Sequence, residues 1–115
     1  MTSPTLVLVT GATGYIGGRL VPRLLAQGFA VRVLVRTPAK LEGVPWHDQV
    51  EIVEGDLSSP EDTEKACQDV HTVFYLVHSM GSGSDFEEQE RDTAQLVADA
   101  AERSGVSRLV YLGGL

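Results

Sequence analysis

The chain has 115 residues, 43% of them hydrophobic and 22% charged, enough for one packed domain and too apolar for a disordered segment. Sixteen acidic residues against nine basic ones give a formal charge of -7, which disfavours binding to a nucleic-acid backbone. The single cysteine, Cys67, excludes an internal disulfide. No apolar run reaches the length of a membrane span, and Met1–Thr5 lacks the basic start of a signal peptide, so the expected location is cytoplasmic.

No repeat or low-complexity linker interrupts the chain, and strand patterns alternate with helix patterns. Leu6–Thr10, dense in Leu and Val, reads as a strand buried on both faces, as in a parallel sheet. It runs straight into Gly11, Gly14, Gly17 and Gly18, and a helix pattern over Tyr15–Gln27 follows, with Ile16, Leu20, Leu24 and Leu25 as its apolar positions and Gly28 as its stop. Pro22 lies inside that helix and removes one of its hydrogen bonds. Glycine at a strand end implies positive φ or a close approach to bare backbone. A dinucleotide site meets both demands, because the pyrophosphate lies against the turn and the helix directs free N–H groups at it. The spacing GxxGxxG is weak alone, and the strand before it and the helix after it supply the context it needs. The alternative is a glycine-rich turn that binds nothing.

Ala30–Arg36 reads as the second strand, and a looser stretch with Pro38, Pro45 and Trp46 follows it. The residue at the end of this strand, about 20 positions beyond the glycines, separates NAD from NADP in such folds. Here it is Arg36. A guanidinium offers a fork of donors to a 2′-phosphate, where a carboxylate would repel it, so the expected cofactor is NADP(H), with NAD(H) the second choice. Thr37 and Lys40 can add a donor and a charge. The competing view of Arg36 is an arginine solvated at a strand end. Arg32, earlier in the strand, lies away from the expected crevice.

Val50–Glu54 reads as the third strand and ends in EGDL, bringing Asp56 and Leu57 to the same sheet edge. Asp56 either accepts a bond from the adenine amino group or begins an Asx turn, and spacing does not separate the two. In SSPED, Ser59 reads as an N-cap, Pro60 as the first helical residue and Asp62 as the partner in a capping box, opening a short helix to about Asp69 that packs the Cys67 thiol. Thr72–Val77 reads as the fourth strand, and the small residues of Gly81–Ser84 let the backbone near Leu76, Val77 and His78 approach a cofactor. A loop histidine is commonly a half-exposed hydrogen-bonding group, so His78 is placed near the site and given no catalytic role. A second capping box, Ser84 with Glu87, opens a long helix with Phe86, Ala94, Leu96, Val97 and Ala101 on its apolar stripe, ended by Gly105. Leu109–Leu112 reads as the fifth strand. The alternation predicts a doubly wound, Rossmann-like α/β fold: a parallel sheet in the order 3-2-1-4-5, with the crevice beyond the carboxyl ends of strands one and four.

TGATGYIGG, VRVLVR, GDL, YLVHSM and SRLVYLGGL together resemble the NAD(P)-binding part of the atypical short-chain dehydrogenase/reductase superfamily, the NmrA-like and extended-type proteins related to epimerases, over nearly the whole chain from Thr5. The resemblance implies cofactor contacts at the opening turn, Gly11, Thr13, Gly14, Tyr15, Ile16 and Gly17, with the pyrophosphate held there. It implies the 2′-phosphate at Arg36, adenine at Asp56 and Leu57, and the ribose and nicotinamide near Leu76, Val77 and His78. Two departures stand out. Relatives that use a serine, tyrosine and lysine carry the serine just after strand five, where this chain reads LGGL at Leu112–Leu115, and none of Tyr15, Tyr75 and Tyr111 has a lysine four residues on. The resemblance implies that the chain is the N-terminal portion of a longer protein, residues 1–115 being its NAD(P)-binding domain, inactive alone. Three functions stay open for the parent: an NADP-dependent oxidoreductase, a redox sensor that binds NADP without turnover, or an epimerase/dehydratase-type enzyme. An unpaired fifth strand also predicts association between copies or poor solubility.

Overall fold

The computed structural model describes residues 4–12, 14–76 and 84–112, with the backbone alone described for residues 84–90. Five parallel strands lie in the order β3-β2-β1-β4-β5. They are β1 (Leu6–Thr10), β2 (Ala30–Val35), β3 (Glu51–Glu54), β4 (Thr72–Leu76) and β5 (Arg108–Leu112). The chain goes outward from β1 through β2 to β3, then returns to add β4 and β5 on the other side of β1. This reversal puts a crevice at the carboxyl ends of β1 and β4.

Alternation along the strands divides the core into two layers. Val7 and Val9 of β1, with Val31, Val33 and Val35 of β2, meet Val21 and Leu24 of helix α1 (Tyr15–Ala26). Leu8, Leu34, Val73 and Tyr75 face the other way, onto Ala66 of α2 (Pro60–Ala66) and Val97, Ala100 and Ala101 of α3 (Ser84–Arg103). Both faces of the central strands are thus covered, which is why β1 and β2 carry unbroken runs of aliphatics. Leu96 lies off the α3 stripe, outside this cluster. Ile16 is 40% exposed, because Gly17 and Val21 take the buried positions of the first turns of α1.

The stretch after β2 is more ordered than its sequence predicts. Two 3-10 turns, Pro38–Leu41 and His47–Gln49, seat Leu41 and Trp46 in the core beside α1. No periodic pattern marks these two anchors, since the few apolar residues of this stretch are broken up by polar ones, glycine and prolines. Helix α2 stops at Ala66, short of the expected Asp69, with Cys67 as its C-cap. Arg32 accounts for much of this end: its guanidinium donates to the carbonyls of Ala66 and Gln68 at 2.8 Å each and to Glu51 Oε2 at 3.0 Å. A cation there complements the helix C-terminus and keeps Arg32 out of the crevice. Burial pushes the Cys67 thiol up, against the opposing charge of Arg32, and the thiol is fully enclosed. At the far edge, Leu109, Tyr111 and Leu112 of β5 are exposed, although Tyr111 stacks on Tyr75 with ring centroids 5.5 Å apart.

Candidate functional site: a cleft at the sheet's carboxyl edge

A cleft of about 420 Å3 opens at the carboxyl edge, between Gly11 and Leu76 on one side and residues 34–37, Lys40 and 55–57 on the other. Each wall comes from a strand end, so the sheet's register fixes their relative heights.

The wall at Gly11 is built from backbone. Gly11 has φ +70° and its carbonyl accepts from Gly14 N–H at 3.0 Å, closing the turn that feeds α1. A Cβ at Gly17 would stand 2.2 Å from that same carbonyl oxygen and 2.8 Å from Ala12 Cα, so only glycine permits the helix to start this close to the strand. Gly14 is the N-cap in extended conformation, with no side-chain cap and no acidic residue in the first turn. The N–H groups that open α1 therefore lack both intrahelical acceptors and a capping oxygen, the arrangement that suits an anion. Tyr15 is 71% exposed, with Arg19 above its ring, the guanidinium carbon 4.4 Å from the centroid.

Thr10 sets the opposite strand against this turn. The backbone ladder between β1 and β4 runs only to Val9 and Phe74. Beyond it the fully buried Thr10 hydroxyl accepts from Leu76 N–H at 3.1 Å and donates to the Phe74 carbonyl at 3.4 Å. It thereby satisfies two groups that the parting strands would leave unpaired, and holds Leu76 beside Gly11. Sequence reading gave Thr10 no role beyond ending the strand.

Across the cleft, Arg36 is the first residue past β2, exposed on the rim beside Thr37 and Lys40. No hydrogen bond or ion pair ties it to another side chain among the described residues, so its donors face the cleft and solvent. No carboxylate follows β2 in its place. Asp56 forms an Asx turn, its Oδ1 accepting from Ser58 N–H and from Ser58 Oγ at 2.8 Å each. These two bonds hold its carboxyl below the usual carboxylate range, with the backbone donor the stronger and the Arg36 charge assisting against burial. The Asx turn and a place on the cleft wall coexist, since Asp56 also lines the cavity. The expected capping box is half formed: Ser59 Oγ accepts from Asp62 N–H at 3.2 Å, but the Asp62 carboxylate does not return to Ser59. Ser59 N–H is already donated to the Asp56 carbonyl at 2.9 Å, and Asp62 Oδ2 accepts instead from Asp56 N–H at 3.0 Å.

The cleft thus gathers Gly11, Arg36, Asp56, Leu57 and Leu76 from the sequence-based set, with Thr37 and Lys40. Gly14, Tyr15, Ile16 and Gly17 form the adjoining turn. Thr13, Val77 and His78 lie outside the described residues, as does the LGGL end beyond Leu112, and the side chains of Ser84, Phe86 and Glu87 are likewise not described. Leu34, Val35 and Gly55 also line the cavity and escaped sequence reading. Gly55 carried the one available signal, a glycine in GDL; a Cβ there would stand 3.0 Å from both Asp62 Cβ and Leu34 Cδ1. Among the described residues no cluster of His, Cys, Asp and Glu could hold a metal, and no helix is long and apolar enough to cross a membrane.

A family model described as NAD(P)H-binding matches residues 11–115. A 3 beta-hydroxysteroid dehydrogenase/Delta 5-->4-isomerase of Mycobacterium tuberculosis is 35% identical over 91% of this chain and 30% of its own length. Among solved structures, the Citrobacter triphenylmethane reductase complexed with NADP(H) superposes with a TM-score of 0.74 at 28% identity, over 93% of this chain and 36% of that one. A short-chain dehydrogenase/reductase superfamily protein of Agrobacterium tumefaciens with bound NAD superposes with a TM-score of 0.73 at 27% identity, over 92% and 31%. The chain spans about a third of the length of the curated relatives it matches.

Proposed function

The chain belongs to the NAD(P)H-binding family, and from that premise we propose that it forms the NADP(H)-binding domain of a short-chain dehydrogenase/reductase-type oxidoreductase. The diphosphate lies on the free N–H groups of Tyr15, Ile16 and Gly17, against the turn of Gly11 and Gly14, with Thr13 beside them. Arg36 receives the 2′-phosphate, aided by Thr37 and Lys40. Asp56 and Leu57 flank the adenine, and Leu76, Val77 and His78 line the path to the nicotinamide. The observation that carries the preference is Arg36 itself: a guanidinium with no hydrogen bond or ion pair among the described residues stands on the rim at the strand end where an acidic residue would select NAD. Structures with NADP(H) and with NAD both occur among the neighbours, so the fold does not decide the matter and the rim must. Titration with NADPH and NADH tests it directly. Tighter NADPH binding is expected, and equal or tighter NADH binding would remove the role given to Arg36.

The bound nicotinamide supplies the hydride, while these residues bind and orient it. Catalysis belongs to a longer protein, with residues 1–115 as its cofactor domain. A second reading rests on LGGL at Leu112–Leu115 and on the lack of a lysine four residues beyond any tyrosine: cofactor occupancy then serves as a redox signal without turnover. Oxidation of NADPH by the complete protein with a panel of carbonyl or quinone substrates separates the two. The cytoplasm is the proposed location, where nicotinamide nucleotides abound and an unpaired thiol persists. The exposed β5 edge, with Leu109, Tyr111 and Leu112, is proposed to pair with a second copy, and sedimentation as a monodisperse monomer would contradict that.

A further inference from the structure

The half-formed capping box leaves one side chain with an unexpected duty. Asp62 sits in the first turn of α2 and does not line the cleft, yet its carboxylate accepts the N–H of Asp56, which does. The wall segment is gripped at several points from the same helix start. Ser59 N–H donates to the Asp56 carbonyl at 2.9 Å, and the fully buried Thr63 hydroxyl shares its proton between the Ser59 carbonyl at 2.9 Å and the Leu57 carbonyl at 3.2 Å. Gly55 N–H donates to the Val35 carbonyl at 2.9 Å, and the Gly55 backbone packs so closely on Asp62 that a Cβ would meet its Cβ at 3.0 Å and its Cγ at 3.1 Å. Of these contacts, the Asp62 bond is the one that a side chain makes directly to the amide of Asp56. It fixes the peptide plane between Gly55 and Asp56, from which the Asp56 side chain departs.

We propose that Asp62 is a positioning residue for the cofactor's adenosine end, acting through Asp56 and never touching the cofactor. The inference rests on the NADP(H) reading above and deepens it. A charged acceptor on a neutral amide is a strong hydrogen bond, and at the start of a helix its charge is also favoured, so the wall is preset before ligand arrives. Preorganisation of this kind shows as affinity, because the free protein does not have to order the segment on binding.

The test is calorimetric titration of wild type, Asp62→Ala, Asp62→Ser and Asp62→Asn with NADPH and with 2′,5′-ADP, with circular dichroism as the control for folding. Asp62→Ala is expected to bind both ligands about fivefold more weakly, a typical coupling between contacting groups. Asp62→Asn retains an acceptor oxygen and should restore affinity to within about twofold of wild type, since the geometry survives the loss of charge. Asp62→Ser, too short to reach Asp56 N–H but suited to a helix start, decides the matter where the alanine variant loses its fold. In an Asp56→Ala background, adding Asp62→Ala should weaken 2′,5′-ADP no further, which a merely structural role would not produce. Wild-type affinity in Asp62→Ala and Asp62→Ser, or a loss that persists undiminished without the Asp56 side chain, overturns this inference alone. A wild-type protein that ignores 2′,5′-ADP overturns the cofactor reading and this inference together.

Discussion

The two sides of the cleft are made from different materials. On one side, Gly11, Gly14 and Gly17 form a turn of main chain in which a carbon added at Gly17 would collide with backbone and one added at Gly11 or Gly14 would press tightly on it. On the other, Arg36, Thr37 and Lys40 form an exposed rim of long or polar side chains. The first arrangement is steric and admits almost no change; the second is electrostatic and changes by degree. Under the proposed function the diphosphate is held by the first wall and the nucleotide preference is set by the second, so one property can change without the other.

Substitutions can break or sharpen that contrast. Gly17→Ala has the largest expected effect, because the new Cβ would stand 2.2 Å from the Gly11 carbonyl oxygen and neither backbone can yield cheaply. A loss of about 3 kcal/mol in urea unfolding is expected, at the upper end for overpacking, together with loss of NADPH binding. Arg36→Ala should leave stability unchanged and weaken NADPH by about 10- to 100-fold, the worth of a charge-assisted hydrogen bond, while NADH affinity stays the same. Weakening of both nucleotides alike would place Arg36 outside the 2′-phosphate contact.

A smaller effect is expected at Asp56. Its carboxyl is held low in the folded state, first by Ser58 N–H and then by the Ser58 hydroxyl. A lowered folded pKa stabilises above the unfolded value, near 4, and that contribution is lost as pH falls through the folded value. Ser58→Ala should therefore be less stable than wild type at pH 7, and the difference should shrink on acidification below about pH 4. A difference that does not change with pH would assign the effect to packing. Smallest of all is Gly18→Ala, one residue from the position that admits no side chain. Its Cβ would meet Ala12 O at an ordinary 3.8 Å, so the variant should fold, bind NADPH normally and gain up to about 1 kcal/mol from helix propensity.

The same contrast explains what the sequence disclosed. Strand order and the glycine turn were legible because both rest on local rules: buried parallel strands need continuous aliphatics, and GxxGxxG between a strand and a helix has few other uses. The place of Arg36 at the cleft rim was legible as well, through its distance from the glycines. Contacts that join separate segments were not. Leu41 and Trp46 fall in an irregular stretch without periodicity, and only the packed structure shows them filling the layer beside α1. Asp62 has the position of a capping-box acid, yet the Asp56 carbonyl takes Ser59 N–H and sends the carboxylate elsewhere. Thr10 looks like any strand residue until β1 and β4 part beside it. Ile16, apolar in sequence, is exposed where the turn opens to the cleft.

Whether the bare amides beginning α1 grip the diphosphate is decided by amide chemical shifts recorded during an NADPH titration. Large, saturable shifts are expected at Tyr15, Ile16 and Gly17, with Gly28 and Gly105, at the far ends of α1 and α3, unmoved. Saturation of binding with those three amides unmoved, and the shifts confined to another part of the chain, would contradict it.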